Sequence, residues 1–193
     1  DVCSPEAWEK DPELVLEFYN KRRKQALEAE PNRAHEIIAE LEKYFDVQII
    51  TQNIDDLHER AGSTNVLHLH GEITKARSVG TEKIHTIGNN PIFLNDLCNS
   101  GHQLRPHIVW FGEDVPNMLI AEEIVKTADI FLIIGSSLNV YPAAGLVYQT
   151  SEDCPKYLVD PSLDVDTKSI NNLTVINEKA TIGLAIVASI LKE

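Results

Sequence analysis

Four stretches of this sequence concentrate groups that can do chemistry. Gln52, Asn53 and Asp55 set two amides and a carboxylate side by side; His68 and His70 stand two apart before Gly71; Gly135-Ser136-Ser137 is a run of small residues; and Asp160 precedes Pro161. Amides and a carboxylate in one short stretch can hydrogen-bond a sugar or a carboxamide. An Asx-type cap on a helix over residues 56–61 would account for one of the three. An imidazole at a strand's carboxyl end suits a general base near neutral pH, which is the role expected of His70. His68 lies one pleat deeper on the same face and reads as a hydrogen-bonded core histidine. A Gly-Ser-Ser turn lets a phosphate approach backbone N–H groups and a helix amino end, although a plain strand-to-loop turn has the same composition. Asp160 could hold a ribose hydroxyl or stiffen an Asp-Pro turn.

The elements that must position these groups follow from the pattern of apolar residues. Leu14, Val15, Phe18, Arg22 and Ala26 fall on one stripe at helical spacing after Pro12, which places Arg22 on the inward face. Ile37, Ile38, Leu41, Tyr44 and Phe45 repeat the pattern, so an antiparallel helical pair is expected. Short apolar runs then alternate with helical segments: Val47–Ile50, Val66–Leu69, Ile108–Phe111, Ile130–Ile134, Tyr157–Val159 and Leu173–Ile176, with helices near 117–127, 142–149 and 182–191. This rhythm predicts an α/β fold, a Rossmann-like parallel sheet with helices on both faces. Residues 72–104 are polar and rich in turn formers, and read as an irregular insertion. The expected organisation is a small lobe of helices over 1–45 and the insertion over 72–104, with the Rossmann-like domain over 46–71 and 105–193. Nearly every unusual polar residue of the sheet region follows a proposed strand, and ligands of open parallel sheets bind beyond those carboxyl ends.

Composition sets the outer bounds. The chain has 193 residues, 43% hydrophobic and 24% charged, as a folded protein should. Seventeen Lys and Arg against 30 Asp and Glu give a net charge of −13, which disfavours binding to nucleic acid or an anionic membrane. No apolar run is long enough to span a bilayer. Asp1–Lys10 is polar and does not read as a secretory leader. Cys3, Cys98 and Cys154 are isolated from one another, which fits a reducing, cytoplasmic setting without a disulfide framework.

Three motifs in order carry a family resemblance. Thr51-Gln52-Asn53-Ile54-Asp55-Asp56-Leu57-His58, with Ala61-Gly62 and Leu69-His70-Gly71, resembles the sirtuin core. Arg105-Pro106-His107-Ile108-Val109-Trp110-Phe111-Gly112-Glu113 resembles its substrate-binding strand, and Gly135 to Ala144 its second nucleotide loop. The resemblance implies an NAD-dependent protein-lysine deacylase: the acyl oxygen attacks the anomeric carbon of NAD, nicotinamide leaves, and the acyl group departs on ADP-ribose. His70 would be the base for the ribose hydroxyls. Gln52, Asn53 and Asp55 would line the nicotinamide and ribose site. Gly135, Ser136 and Ser137 would hold the phosphates, Asp160 the adenine-side ribose, and Ala180 would give a late backbone contact to adenine. Val109, Trp110, Phe111, Gly112 and Glu113 would pair with the acyl-lysine peptide and wall its tunnel, with Tyr141 as a further contact. The partners are therefore acyl-lysine proteins or peptides. An NAD or ADP-ribose binding module, or a protein ADP-ribosyltransferase, are the alternatives on the same scaffold.

Two finer expectations complete this reading. Tyr19 and Arg22 are three apart on one helix face, a Tyr-x-x-Arg spacing similar to that of the desuccinylase and demalonylase subgroup. Guanidinium and phenol donors suit an acyl carboxylate, so a preference for succinyl or malonyl over acetyl is expected. Many sirtuins hold zinc through two Cys-x-x-Cys pairs; this sequence has only Cys98 and the neighbouring His102 in the corresponding stretch, so no metal site is expected. The family's glycine-rich loop, with Gly-Ala-Gly and a downstream Phe-Arg, has no counterpart in this sequence and is expected ahead of Asp1 in the active protein.

Overall fold

The computed structural model describes residues 2–136, 138–162 and 167–192. By their contacts they form two compact units: unit 1 is Asp1–Glu30, Thr51–Leu57 and His68–Val115, and unit 2 is Pro31–Ile50, His58–Leu67 and Pro116–Glu193.

Unit 1 opens with α1 (Pro5–Lys10) and α2 (Pro12–Glu28). Both start on a proline behind a side-chain cap: Ser4 accepts from the Ala7 N–H, and Asp11 from the Leu14 N–H. α2 buries Val15, Leu16, Tyr19 and Arg23 and leaves Leu14 half exposed. Its inward face is thus rotated by one residue, about 100°, from the stripe expected from hydropathy. Arg22 faces solvent and Arg23 is the buried arginine. The rotation follows from polar groups that find partners inside: the Arg23 Nε donates to the Ile73 carbonyl at 2.8 Å.

Residues 72–104 are more regular than their composition suggests. β3 (Gly71–Ser78) pairs antiparallel with β4 (Ile84–Thr86) on one side and β5 (Leu104–Ile108) on the other. Ile73, Ala76 and Ser78 turn inward while Glu72, Lys75 and Arg77 keep partial exposure. The expected strand at Ile108–Phe111 lies upstream, at Leu104–Ile108, and joins this antiparallel sheet. Beyond Ile108 the chain closes a turn, with the Glu113 N–H donating to the Trp110 carbonyl at 3.0 Å. The turn before β5 is closed by Gln103, whose amide nitrogen donates to the carbonyls of Phe93, Asp96 and Leu104 and whose oxygen accepts from the Asn95 N–H.

Unit 2 is built on a parallel sheet, β6 (Phe131–Ile134), β7 (Lys156–Val159) and β8 (Leu173–Ile176), in that spatial order and in register. α3 (Arg33–Leu41) packs on α6 (Ala180–Leu191), so its partner is not the α2 of the expected helical pair. Ala34, Ile37, Ile38, Leu41, Leu184 and Ala188 make that core. Gly183 permits the approach of α6 to β7, because a Cβ there would stand 2.4 Å from Val159 Cγ1. α3 begins with a reciprocal cap: Asn32 Oδ1 accepts from Ala34 and His35 N–H groups, and His35 Nδ1 accepts from the Asn32 N–H. α5 (Met118–Lys126) and a 3₁₀ segment, Ala143–Gln149, complete this unit.

β1 (Ile49–Thr51) and β2 (Val66–His68) form a two-stranded sheet, and α4 (Leu57–Arg60) lies between them in sequence. Among the described residues, no helix is long and apolar enough to cross a membrane.

Candidate active site

In unit 1 the stretch after β1 is fixed through its backbone. Thr51 Oγ1 accepts from the Asn53 N–H at 3.0 Å, and the Ile54 carbonyl accepts from the Ile73 N–H at 2.7 Å. Asp55 Oδ1 accepts from the Leu57 N–H and so caps α4, which accounts for one of the three polar side chains. Among the described residues, the Gln52 and Asn53 side-chain amides make no hydrogen bond to protein.

Both histidines are oriented by this stretch. His68 Nδ1 lies 3.1 Å from the Asn53 carbonyl and His70 Nδ1 lies 3.1 Å from the Gln52 carbonyl. A carbonyl oxygen only accepts, so each Nδ1 carries its hydrogen, and in the neutral ring of His70 Nε2 presents a lone pair. His68 is buried at the end of β2, whereas His70 lies past that strand and is half-buried. The two rings therefore do not share a strand face as expected; the chain bends between β2 and Gly71 and turns His70 into a different setting. Gly71 is required there. Its φ of +81° lies in the left-handed region, and a Cβ would stand 2.0 Å from the His107 carbonyl oxygen.

The stretch after β5 is held from below. Glu113 accepts a fork from Arg105 at 2.7 and 3.0 Å, a third bond from Arg77 at 2.9 Å, and the Trp110 N–H at 2.7 Å. Arg105 lies 3.3 Å from the Trp110 ring centroid and also donates to the Ile108 carbonyl. Burial alone would raise the Glu113 carboxyl, but Arg105 and the Trp110 N–H outweigh it and hold the group below the usual carboxylate range. Burial pulls the Arg105 guanidinium down despite Glu113. The Glu113 carboxylate is thus committed to its own chain, and Trp110 is buried beside Trp8 and Tyr19. Val109 gives its N–H to the His70 carbonyl and Phe111 gives its own to Cys3. The Phe111 ring, 73% exposed, and Gly112 remain open to solvent. Arg77 and Arg105 escaped the sequence reading because their partner is defined only once β3 and β5 pair.

Tyr19 is buried edge-on to Phe18, and burial with the adjoining Cys3 thiol keeps its phenol above its ordinary range. Arg22 reaches over the Phe18 ring, 5.5 Å from its centroid, and donates to Gln25 at 3.5 Å. Among the described residues it has no carboxylate partner.

In unit 2, Gly135 follows β6 with a φ of +59°, bonds the Val159 carbonyl through its N–H and is otherwise exposed. Ser136 Oγ accepts from the Leu138 N–H at 3.3 Å, and Ser137 lies outside the described residues. Asp160 is buried at the end of β7, where Oδ1 accepts from the Ser162 N–H and hydroxyl. It therefore stiffens a turn, one of the two readings its sequence allowed. Ala180 is the first residue of α6, and Tyr141 is exposed ahead of the 3₁₀ segment. The thiol of Cys98 donates to Ser78 at 3.4 Å, and no group of residues suited to hold a metal ion occurs among the described residues.

In unit 1, side-chain amides without a hydrogen-bond partner among the described residues stand beside an imidazole and suit hydroxyls and a carboxamide; in unit 2, taken by itself, an exposed glycine turn suits phosphates. Comparison with known proteins gives the same direction. Residues 1–142 match the Sir2 family. An NAD-dependent protein deacylase of Bacteroides thetaiotaomicron is 49% identical over 189 residues, covering 95% of this chain and 80% of the relative. A Sir2 homologue solved in complex with NAD superposes with a TM-score of 0.88 at 33% identity, over 99% of this chain and 76% of that one. Sir2Tm bound to a propionylated peptide gives 0.84 at 30% identity, over 99% and 84%. The chain belongs to the Sir2 family.

Proposed function

We propose that this protein is an NAD-dependent protein-lysine deacylase that favours acyl groups bearing a second carboxylate, succinyl and malonyl above acetyl. NAD supplies the electrophilic sugar carbon and nicotinamide as its leaving group. The observation that carries the enzymatic reading is His70: its Nδ1–H is spent on the Gln52 carbonyl, so Nε2 is left to take a proton from a ribose hydroxyl. Gln52 and Asn53, with Asp55, bind the nicotinamide and its ribose. Gly135, Ser136 and Ser137 hold the phosphates, Asp160 the adenine-side ribose, and the Ala180 backbone the adenine. Val109, Phe111 and Gly112 bind the acyl-lysine peptide, kept in shape by Trp110 and Glu113, and Tyr141 adds a contact. The names of the relatives and the peptide bound by Sir2Tm support the deacylase reading.

The acyl preference rests on Arg22. An exposed guanidinium without a carboxylate partner among the described residues, three positions from Tyr19, is suited to a ligand's carboxylate. A net charge of −13 argues against nucleic acid or anionic membrane as partner, and three cysteines isolated from one another in sequence accord with a reducing, cytoplasmic setting.

The test is turnover of matched succinyl-, malonyl- and acetyl-lysine peptides with NAD, followed by nicotinamide release and product mass. O-acyl-ADP-ribose is the expected product, and ADP-ribose on protein would replace the deacylase reading. Arg22→Met should lower kcat/KM for the succinyl peptide by about 10- to 100-fold, the worth of one charge-assisted hydrogen bond, and spare the acetyl peptide. An acetyl preference in the parent protein would overturn the acyl assignment.

A further inference from the structure

We infer that Asn20 and Arg23 form a clasp that sets the azimuth of α2 and thereby positions the exposed Arg22 for the acyl carboxylate, which makes them specificity-determining residues. This rests on the acyl preference proposed above. Asn20 and Arg23 are three apart and share a face of α2. Asn20 bonds the Ile92 backbone at two points, donating to its carbonyl at 2.8 Å and accepting from its N–H at 2.9 Å, as a paired strand residue would. Arg23 Nη1 donates to the same Asn20 oxygen at 2.7 Å, and its Nε donates to the Ile73 carbonyl of β3. Three backbone groups from two separate segments are thus tied to one turn of helix. Arg23 is 1% exposed, and among the described residues its Nη2 finds no partner. Burying an incompletely satisfied guanidinium is costly, and the site pulls that group down to about 10. An apolar residue would fill this position at lower cost, so the arginine is retained for geometry.

The geometry bears on Arg22 in particular. Arg22 lies between the two clasp residues, and Tyr19 immediately precedes them. Beyond the clasp, Lys24, Leu27 and Glu28 border an open groove of about 510 Å³ shared with Asn89 and Pro91, so close packing does not fix that end of the helix. A small turn of α2 about its axis would leave the buried apolar residues largely covered and swing the Arg22 guanidinium by ångströms. Reading a carboxylate through a hydrogen-bonded fork does not tolerate such a displacement, whereas binding an acetyl methyl group is indifferent to it.

Asn20→Ala, Arg23→Ala and Arg23→Lys, each compared with the parent and with Arg22→Met, test the inference. For Asn20→Ala and Arg23→Ala, KM for the succinyl peptide should rise about fivefold or more with kcat within about twofold, and KM for the acetyl peptide should hold within about twofold. Arg23→Lys, which can still donate to one carbonyl, should recover part of the loss. If Arg23→Ala does not fold, Asn20→Ala and Arg23→Lys decide. Equal losses on both peptides, or no change in their ratio, would overturn the clasp as a specificity device. If Arg22→Met itself leaves succinyl turnover unchanged, the acyl reading has failed, and that result is separate from the behaviour of the clasp variants.

Discussion

Unit 1 buries Arg23 and Arg105 among its side chains and ties them to carbonyls, an amide and a carboxylate, whereas the core of unit 2 between α3 and α6 is apolar, with Ala34, Ile37, Ile38, Leu41, Leu184 and Ala188 buried and Phe45, Val47, Ile49, Leu132, Ile134 and Ala180 packed against them. Apolar burial is non-directional and grows with area. It holds a sheet and its helices together without fixing any one atom to a fraction of an ångström. A buried guanidinium bonded to named carbonyls is directional, and it contributes only when every partner is in place. Unit 1 carries the groups proposed to meet the acyl chain and the ribose, where small displacements matter. Unit 2 carries the turns proposed to meet phosphates and adenosine, where backbone geometry at strand ends suffices.

Three stability measurements test this contrast. Leu184→Ala, in the apolar core of unit 2, should have the largest effect, about 2–5 kcal/mol by denaturant unfolding, and nearly the same loss at pH 7 and pH 4. A pH-dependent loss would show that unit 2 is not held as its composition implies. Glu113→Gln in unit 1 should cost about 2 kcal/mol at pH 7. Its folded-state pKa is depressed, so its contribution is fully present above the unfolded value of about 4.3 and is lost as pH falls through the folded one. The gap between parent and variant should therefore narrow on going from pH 7 towards pH 3; a constant gap would mean that a neutral hydrogen bond does the same work. The smallest effect expected is that of Asn32→Ala, which removes the cap of α3 and should cost about 1 kcal/mol. A cost as large as that of Leu184→Ala would erase the contrast from the other side.

The parallel sheet and the start of α2 were legible because each is announced locally, by apolar runs at β6, β7 and β8 and by Pro12 at the head of the helix. The azimuth of α2 was not, since Arg22 and Arg23 are adjacent and hydropathy treats them alike. What distinguishes them is the free carbonyl of Ile73, fifty positions away. The antiparallel sheet in unit 1 was hidden by the charges at Glu72, Lys75 and Arg77 and by Pro106 within β5. Asp55 and Asp160 show a different limit. Both cap turns, and composition could not say how much of each carboxylate is already engaged.

Gly71 has a consequence for mutational tolerance. With no side chain it lets two main chains lie flush, and the next hydrogen bond along that seam joins the Val109 N–H to the His70 carbonyl. Even an alanine would act as a wedge at the root of the imidazole and would prise the stretch after β5 away from it at the same stroke. The least conspicuous substitution in this neighbourhood would therefore disable both the proton transfer proposed for His70 and the peptide docking proposed for that stretch, through the backbone alone.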